Sequence, residues 1–154
     1  MVRAAINLGT YLEQPQAVPP IAMMTWDPLI AEKSQSYATS VTHWDDGHSS
    51  DAYRNYTSTY HTGDHGENMA IGTGSYADPD EFVGASWAAS EAVGCTGSSC
   101  GGHYTQIVWD DSIAVGCGSK DNVPFESNEV TYYGTLSVCQ YGAAGNYGGE
   151  PYSF

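Results

Sequence analysis

The chain has 154 residues, 41% of them apolar and 14% charged, which is enough to bury a core as one domain spanning 1–154. Four Lys plus Arg stand against 18 Asp plus Glu, a formal charge of −14. So few cations exclude a nucleic-acid binder, which needs counterion release from phosphates, and argue against docking on anionic membranes. No apolar run approaches the length of a membrane span, so an integral membrane protein is not expected.

The first twenty residues are mixed, and Pro15, Pro19 and Pro20 interrupt any long helix near their end. Met1 to Gly9 lacks the apolar run of a signal peptide, so the sequence reads as a mature form with an added Met. Asp27-Pro28 starts the first clear helix, with Asp as N-cap and Pro at the first helical position. Ile30, Ser34, Tyr37, Ala38 and Val41 then share one face. From His43 to Gly66 the polar composition predicts a long loop, with a short helix near Asp51 to Tyr56. Within it Asn55-Tyr56-Thr57 is an N-glycosylation sequon, compatible with secretion. Glu67 to Thr73 reads as a short strand.

Asp78-Pro79-Asp80-Glu81 repeats the helix-start pattern, and this helix is expected to run through Trp87 to about Glu91. Gly94 to Gly102 is a Gly/Ser-rich loop, and His103 to Trp109 is a short helix. Ile113 to Gly118 and Val130 to Gln140 read as strands, followed by a glycine-rich tail from Gly142 to Gly149. The cysteines, Cys95, Cys100, Cys117 and Cys139, make no CxxC zinc pattern. They read as two disulfides formed in an oxidising compartment, with three connectivities open to four cysteines. Trp26 and Trp109 are expected as core anchors, and His61 and His65 as solvated loop histidines near Glu67.

Three stretches carry more information. They are Gly66-Glu67-Asn68-Met69-Ala70, Gly102-His103-Tyr104-Thr105-Gln106-Ile107-Val108-Trp109, and Val138-Cys139-Gln140-Tyr141 with Gly145-Asn146 behind it. With Trp26-Asp27-Pro28 ahead of them and Val115-Gly116-Cys117-Gly118 between, they resemble the signatures of the CAP superfamily in order and spacing. That superfamily holds cysteine-rich secretory proteins, insect venom allergens and plant class-one pathogenesis-related proteins. The resemblance covers about residues 20 to 150. It implies an α+β fold: a three-layer α-β-α sandwich with a small antiparallel sheet and long loops stapled by disulfides. It also implies a secreted, extracellular protein.

The resemblance further implies a cleft of two histidines and two glutamates. His103 and Glu67 match directly, and His48 matches as the histidine of the His-Ser pair, with His43 as its rival. The second glutamate usually lies three residues after a helical tryptophan; here Trp87 to Glu91 is four, a rotation of about 100° on a helix. A bulge in the helix, a misaligned Trp87 or a lost fourth residue are the three readings, and Glu91 is the residue chosen. Gln106 shares a helical face with His103 as a supporting residue. The resemblance implies Cys117–Cys139 between neighbouring strands, as in the insect venom branch, which leaves Cys95–Cys100 to close a tight loop.

Two imidazoles and two carboxylates make a cleft able to hold zinc or another divalent metal. No HExxH is present, so a metal-dependent extracellular hydrolase is the alternative and a non-enzymatic role the leading expectation. Branches of the family bind sterols or other lipids, and others meet host proteins. In the sterol-binding fungal branch an aromatic-rich loop precedes the His103 motif; here Ala92 to Gly101 has no aromatic residue. A lipid, fatty acid before sterol, or a host protein is therefore the expected partner.

Overall fold

The computed structural model describes residues 1–74 and 82–154. A short helix, α1 (Val2–Asn7), leads through an irregular segment to a two-residue strand, β1 (Thr25–Trp26). The helix α2 (Pro28–Ser40) then begins as the sequence dictates. The Asp27 carboxylate accepts from Leu29 N at 2.9 Å and Ile30 N at 3.5 Å, with Pro28 in the first turn. Ile30, Ser34, Ala38 and Val41 are buried, the face predicted from the 3.6-residue period. Asp27 also accepts from Thr59 N at 2.8 Å and Thr59 Oγ1 at 2.9 Å, so one buried cap also pins a distant loop.

After α2 come α3 (Asp51–Arg54), β2 (Asn55–Thr57), β3 (Thr62–Asp64) and β4 (Gly66–Gly72). A π-helical segment, Phe82–Ala89, and a 3-10 turn, Ser90–Ala92, precede α4 (Gly102–Val108). The chain finishes with two long strands, β5 (Ala114–Ser127) and β6 (Val130–Gly142). The main sheet has the order β1-β5-β6-β4, antiparallel except where β1 runs parallel to β5.

Alternation along β6 divides the core into two layers. Leu136 and Val138 cluster with Ala38 and Val41 beside α2. Cys139 and Tyr141 cluster with Trp87, Tyr104, Ile107 and Val108 on the other side. The result is the expected α-β-α sandwich. Helix α2 lies close on the sheet because Gly116 and Gly118 face it: an added Cβ would stand 2.2 Å from Ala31 N and 2.3 Å from Gln35 Cα. Both disulfides form in the pairing that the resemblance implied, Cys117–Cys139 with Cα atoms 4.1 Å apart and Cys95–Cys100 at 5.1 Å. No described helix is long and apolar enough to cross a membrane.

Several elements differ from expectation. The hairpin β2–β3 occupies a stretch read as loop and, at Asn55-Tyr56, as the end of the short helix, because three-residue strands are too short to show alternation. Strand β5 continues nine residues past Gly118, to Ser127. Its Asp121-Asn122 pair, which looks like a turn, is absorbed as a register shift between Lys120 and Val123, with Asn122 at φ 59°. Trp109 is buried as expected, but Trp26 is 55% exposed. Trp26 sits on a two-residue strand at the edge of the sheet. The expected helix start at Asp78 to Glu81 lies outside the described residues.

The bridge across β5 and β6 closes a loop of 22 residues, and chain-entropy reasoning assigns such a loop about 3 kcal/mol. A Cys117→Ala/Cys139→Ala variant is expected to lose at least about that much in urea unfolding. A Cys95→Ala/Cys100→Ala variant, which opens a loop of five, is expected to lose clearly less.

Candidate functional site

Register places the first pair. Glu67 on β4 lies opposite Gln140 on β6, and Gln140 Nε2 donates to Glu67 Oε2 at 2.8 Å. The α2–α3 connection supplies the other donors. Ser49 N donates to Oε1 at 2.9 Å, Ser49 Oγ to Oε2 at 2.6 Å, and His48 Nδ1 lies 2.9 Å from Oε1. Arg54 Nη1 stands 3.6 Å away. The Glu67 side chain is 1% exposed, whereas that of His48 is 55% exposed. Burial alone raises the Glu67 pKa, but the bonds from His48, Ser49 and Gln140 outweigh it, and the group titrates below its usual 4.5. Glu67 is thus an ionised acceptor, so His48 Nδ1 donates to it.

Glu91 makes the second pair and caps a helix with the same carboxylate. The N-cap of α4 is Gly101, which has no side chain to offer. Glu91 Oε2 accepts from His103 N at 2.9 Å and Tyr104 N at 3.2 Å, satisfying two free donors of the first turn. Its Oε1 is 2.5 Å from His103 Nδ1. A Cβ at Gly101 would fall 2.2 Å from Glu91 Oε2, so only glycine lets the carboxylate reach. The Trp87 ring stacks on the His103 imidazole, with centroids 5.3 Å apart and planes at 11°. Trp87 and Glu91 therefore meet the same histidine despite their four-residue spacing. The π-helical segment ahead of Glu91 is the bulge that absorbs the extra residue. Ser90, in the usual place of the glutamate, turns its hydroxyl back to Ser86 O.

Strand β4 separates the two pairs, since successive residues point to opposite faces. Glu67 serves His48, while Asn68 Nδ2 donates to His103 O and to Tyr141 Oη, both at 3.1 Å. A polar cleft of about 280 Å³ is lined by His48, Arg54, His65, Glu67, Gln106 and Asn146, with glycines at 66 and 145. Glu91 and His103 are not in its wall. Gln106 is 2% exposed; it donates to Ser112 Oγ at 2.9 Å and accepts from Gly145 N at 2.8 Å. It holds the glycine-rich tail over the cleft and makes no bond to His103. Among the described residues, no three His, Cys, Asp or Glu side chains converge as a group able to hold a metal ion.

The remaining histidines have structural places. His43 caps the turn Trp44–Asp46, accepting from Asp45 N at 3.1 Å, so His48 takes the position beside Glu67. His65 is not solvated, as the polar loop suggested, but 1% exposed. It stacks on Tyr56 at 3.8 Å with Nδ1 3.1 Å from Arg54 O, and burial lowers its pKa. Sequence reasoning missed Ser49, Arg54, Asn68, Gln140 and Asn146. Four of these sit inside the quoted motifs or beside His48, so motif neighbours were the available signal.

Chemically, each pair orients an imidazole through Nδ1, the arrangement that metal-ligating histidines use. The carboxylates are already spent on hydrogen bonds. Glu67, saturated with donors and held below the carboxylate range, is poorly matched to general-base work near neutrality. Because the folded pKa of Glu67 is depressed, its stabilisation is complete above the unfolded value near 4.5 and is lost as pH falls through the folded one. Glu67→Gln is therefore expected to cost about 1–3 kcal/mol at neutral pH. The gap from wild type should close in acid, as read from urea midpoints across pH.

Comparison with known proteins agrees with this architecture. The profile of the CAP, or cysteine-rich secretory protein, family matches residues 17–141. Pathogenesis-related protein 1A of Nicotiana tabacum is 29% identical over 136 residues, covering 84% of this chain and 69% of its own. Venom allergen 5.02 of Dolichovespula maculata is 32% identical over 140 residues, 84% of this chain and 58% of the allergen. Protein PRY2 of Saccharomyces cerevisiae is 32% identical over 133 residues, but the chain spans only 33% of its length. The solved structure of BmVAL-1 superposes with a TM-score of 0.57 at 18% identity, covering 99% of this chain and 76% of that one. Na-ASP-1 gives 0.55 at 19% identity, covering 99% and 39%. With motifs, sandwich, disulfides and family profile in register over most of its length, the chain belongs to the CAP family.

Proposed function

We propose that the protein is a secreted CAP-domain carrier that binds a single-chain lipid. The site is a groove along the open edge of β5, and this groove is the observation that carries the reading. Strand β1 pairs with β5 only at Ala114 and Val115. Beyond them the edge lies between α2 and the π-helical segment, in a groove of about 280 Å³. Trp26, Val83, Trp87 and the Cys117–Cys139 bridge form its apolar wall, with Gln35, Ser119 and Ser137 as polar points. Gln35 satisfies the edge backbone, donating to Ser119 O at 2.8 Å and accepting from Ser119 N at 3.1 Å. The edge at Ser119 is thus closed to another strand, and among the described residues the groove opens at Trp26. Half-exposed Trp26 at the mouth offers apolar area that no part of the described chain covers.

An apolar groove with a few polar points suits a lipid, and its small volume favours a slim acyl chain over a fused-ring sterol. The absence of aromatic residues from 92–101 points the same way. Catalysis has weaker support, because both cleft carboxylates are committed to hydrogen bonds. Zinc or another divalent ion would be held by His48 or His103 singly, because β4 stands between the two pairs, and would supply positive charge with no hydrolytic step. A host-protein partner is the reading favoured if no lipid binds.

The test is binding of labelled fatty acid and labelled sterol to delipidated, metal-free protein. Saturable fatty-acid binding is expected, unchanged in His103→Ala and weakened about tenfold in Trp26→Ala, a loss of about 1.4 kcal/mol. No lipid binding, or binding abolished by His103→Ala and untouched by Trp26→Ala, would overturn the reading. Zinc affinity, measured by calorimetry, is expected to fall as the buffer is acidified through the imidazole range, since protonated histidines cannot ligate.

A further inference from the structure

The sequence holds a single Asn-X-Ser/Thr triplet, Asn55-Tyr56-Thr57, and the fold gives it a defined place. It is the whole of β2, which among the described residues pairs with β3 alone and leaves its other edge open. Burial alternates along it: Asn55 and Thr57 are exposed and Tyr56 is turned inward. The Tyr56 ring stacks on buried His65, and its hydroxyl donates to Gln140 Oε1 at 3.0 Å. This inward anchor fixes the strand's facing, so the acceptor amide and the threonine hydroxyl that recognition requires share the solvent side.

We infer that Asn55 is an N-glycosylation site, and the inference rests on the proposed secretion. In the transfer, Asn55 Nδ2 loses a proton and bonds to the anomeric carbon of a lipid-pyrophosphate-linked oligosaccharide. The bond from that carbon to the pyrophosphate oxygen breaks, and the lipid pyrophosphate leaves with the electron pair. The folded protein accepts the product. Asn55 Nδ2 donates to exposed Asp64 Oδ1 at 2.6 Å, and a glycosylated amide keeps one N–H for that bond. A glycan there covers the open edge of β2, a strand edge otherwise free to pair with other chains. It also stands at the rim of a second cleft, where Thr57, Tyr53, Lys33 and Glu32 meet.

The experiment expresses the full chain in a eukaryotic secretory host behind a supplied, cleavable leader, so that entry does not depend on the protein's own secretion. Intact mass is compared before and after treatment with the amidase that cleaves glycan from asparagine, and the modified peptide is mapped. Wild type and Thr57→Ser are expected to carry a glycan at Asn55; Asn55→Gln and Thr57→Ala are expected to carry none while keeping the wild-type circular dichroism. Unmodified Asn55 in the recovered wild-type protein, secreted or retained, overturns the inference. So does a glycan that persists in Thr57→Ala. Whether the native source releases the protein into its medium tests secretion separately.

Discussion

The molecule depends on one cross-section of its sheet, where Asn68, Cys139 and Cys117 lie side by side on β4, β6 and β5. The disulfide fixes the β5–β6 part of that register covalently, and β4 aligns on β6 through its backbone ladder; a slip of one residue would exchange the faces of every side chain. With the register set, Glu67 falls opposite Gln140 and Asn68 turns toward the backbone of His103. The same alignment puts Gly116 and Gly118 beneath α2, letting helix and sheet touch backbone to backbone. Among the described residues it also leaves the edge of β5 past Val115 uncovered by a strand, and that edge borders the apolar groove. Polar pairs and groove are consequences of a single alignment.

The charge distribution follows an internal logic. All four cations are engaged within the fold. Arg3, 3% exposed, donates to Ile107 O and Trp109 O at 2.8 Å and to Ala22 O at 2.7 Å. Burial lowers its pKa to about 10, so it stays charged at neutral pH. It sits at the C-terminal end of α4 while Glu91 caps the N-terminal end, each charge opposing the helix dipole. Arg54 joins the Glu67 network, Lys120 donates to carbonyls at the end of α2, and Lys33 lies 4.9 Å over the Tyr53 ring. The net charge of −14 is left to carboxylates, which disfavours polyanionic partners.

Much of this was legible in the sequence. Asp27-Pro28 announced α2, alternation announced β6, and the motif around His103 announced α4, because each carries a local signal of capping or period. Glu91 was legible only through resemblance, and its four-residue spacing from Trp87 made sense once a π-helical segment lay between the expected positions. What stayed hidden was non-local. Nothing near Gln140 states that it will face Glu67 across 73 residues. The exposure of Trp26 follows from which strand ends where, and the burial of His65 from its stacking on Tyr56. The separation of the histidine pairs by β4 was likewise invisible, since motif matching assigns residues to a cleft without assigning strand faces.

On the proposed reading the edge of β5, rather than the histidine cleft, receives the ligand. The decisive measurement is a crystal structure of the protein grown with a long-chain fatty acid. The expected result is an acyl chain lying between Trp26 and Trp87 along the Cys117–Cys139 bridge, with His48 and His103 untouched. A chain seated against His48 and Glu67, or a groove left empty at saturating fatty acid, would contradict it.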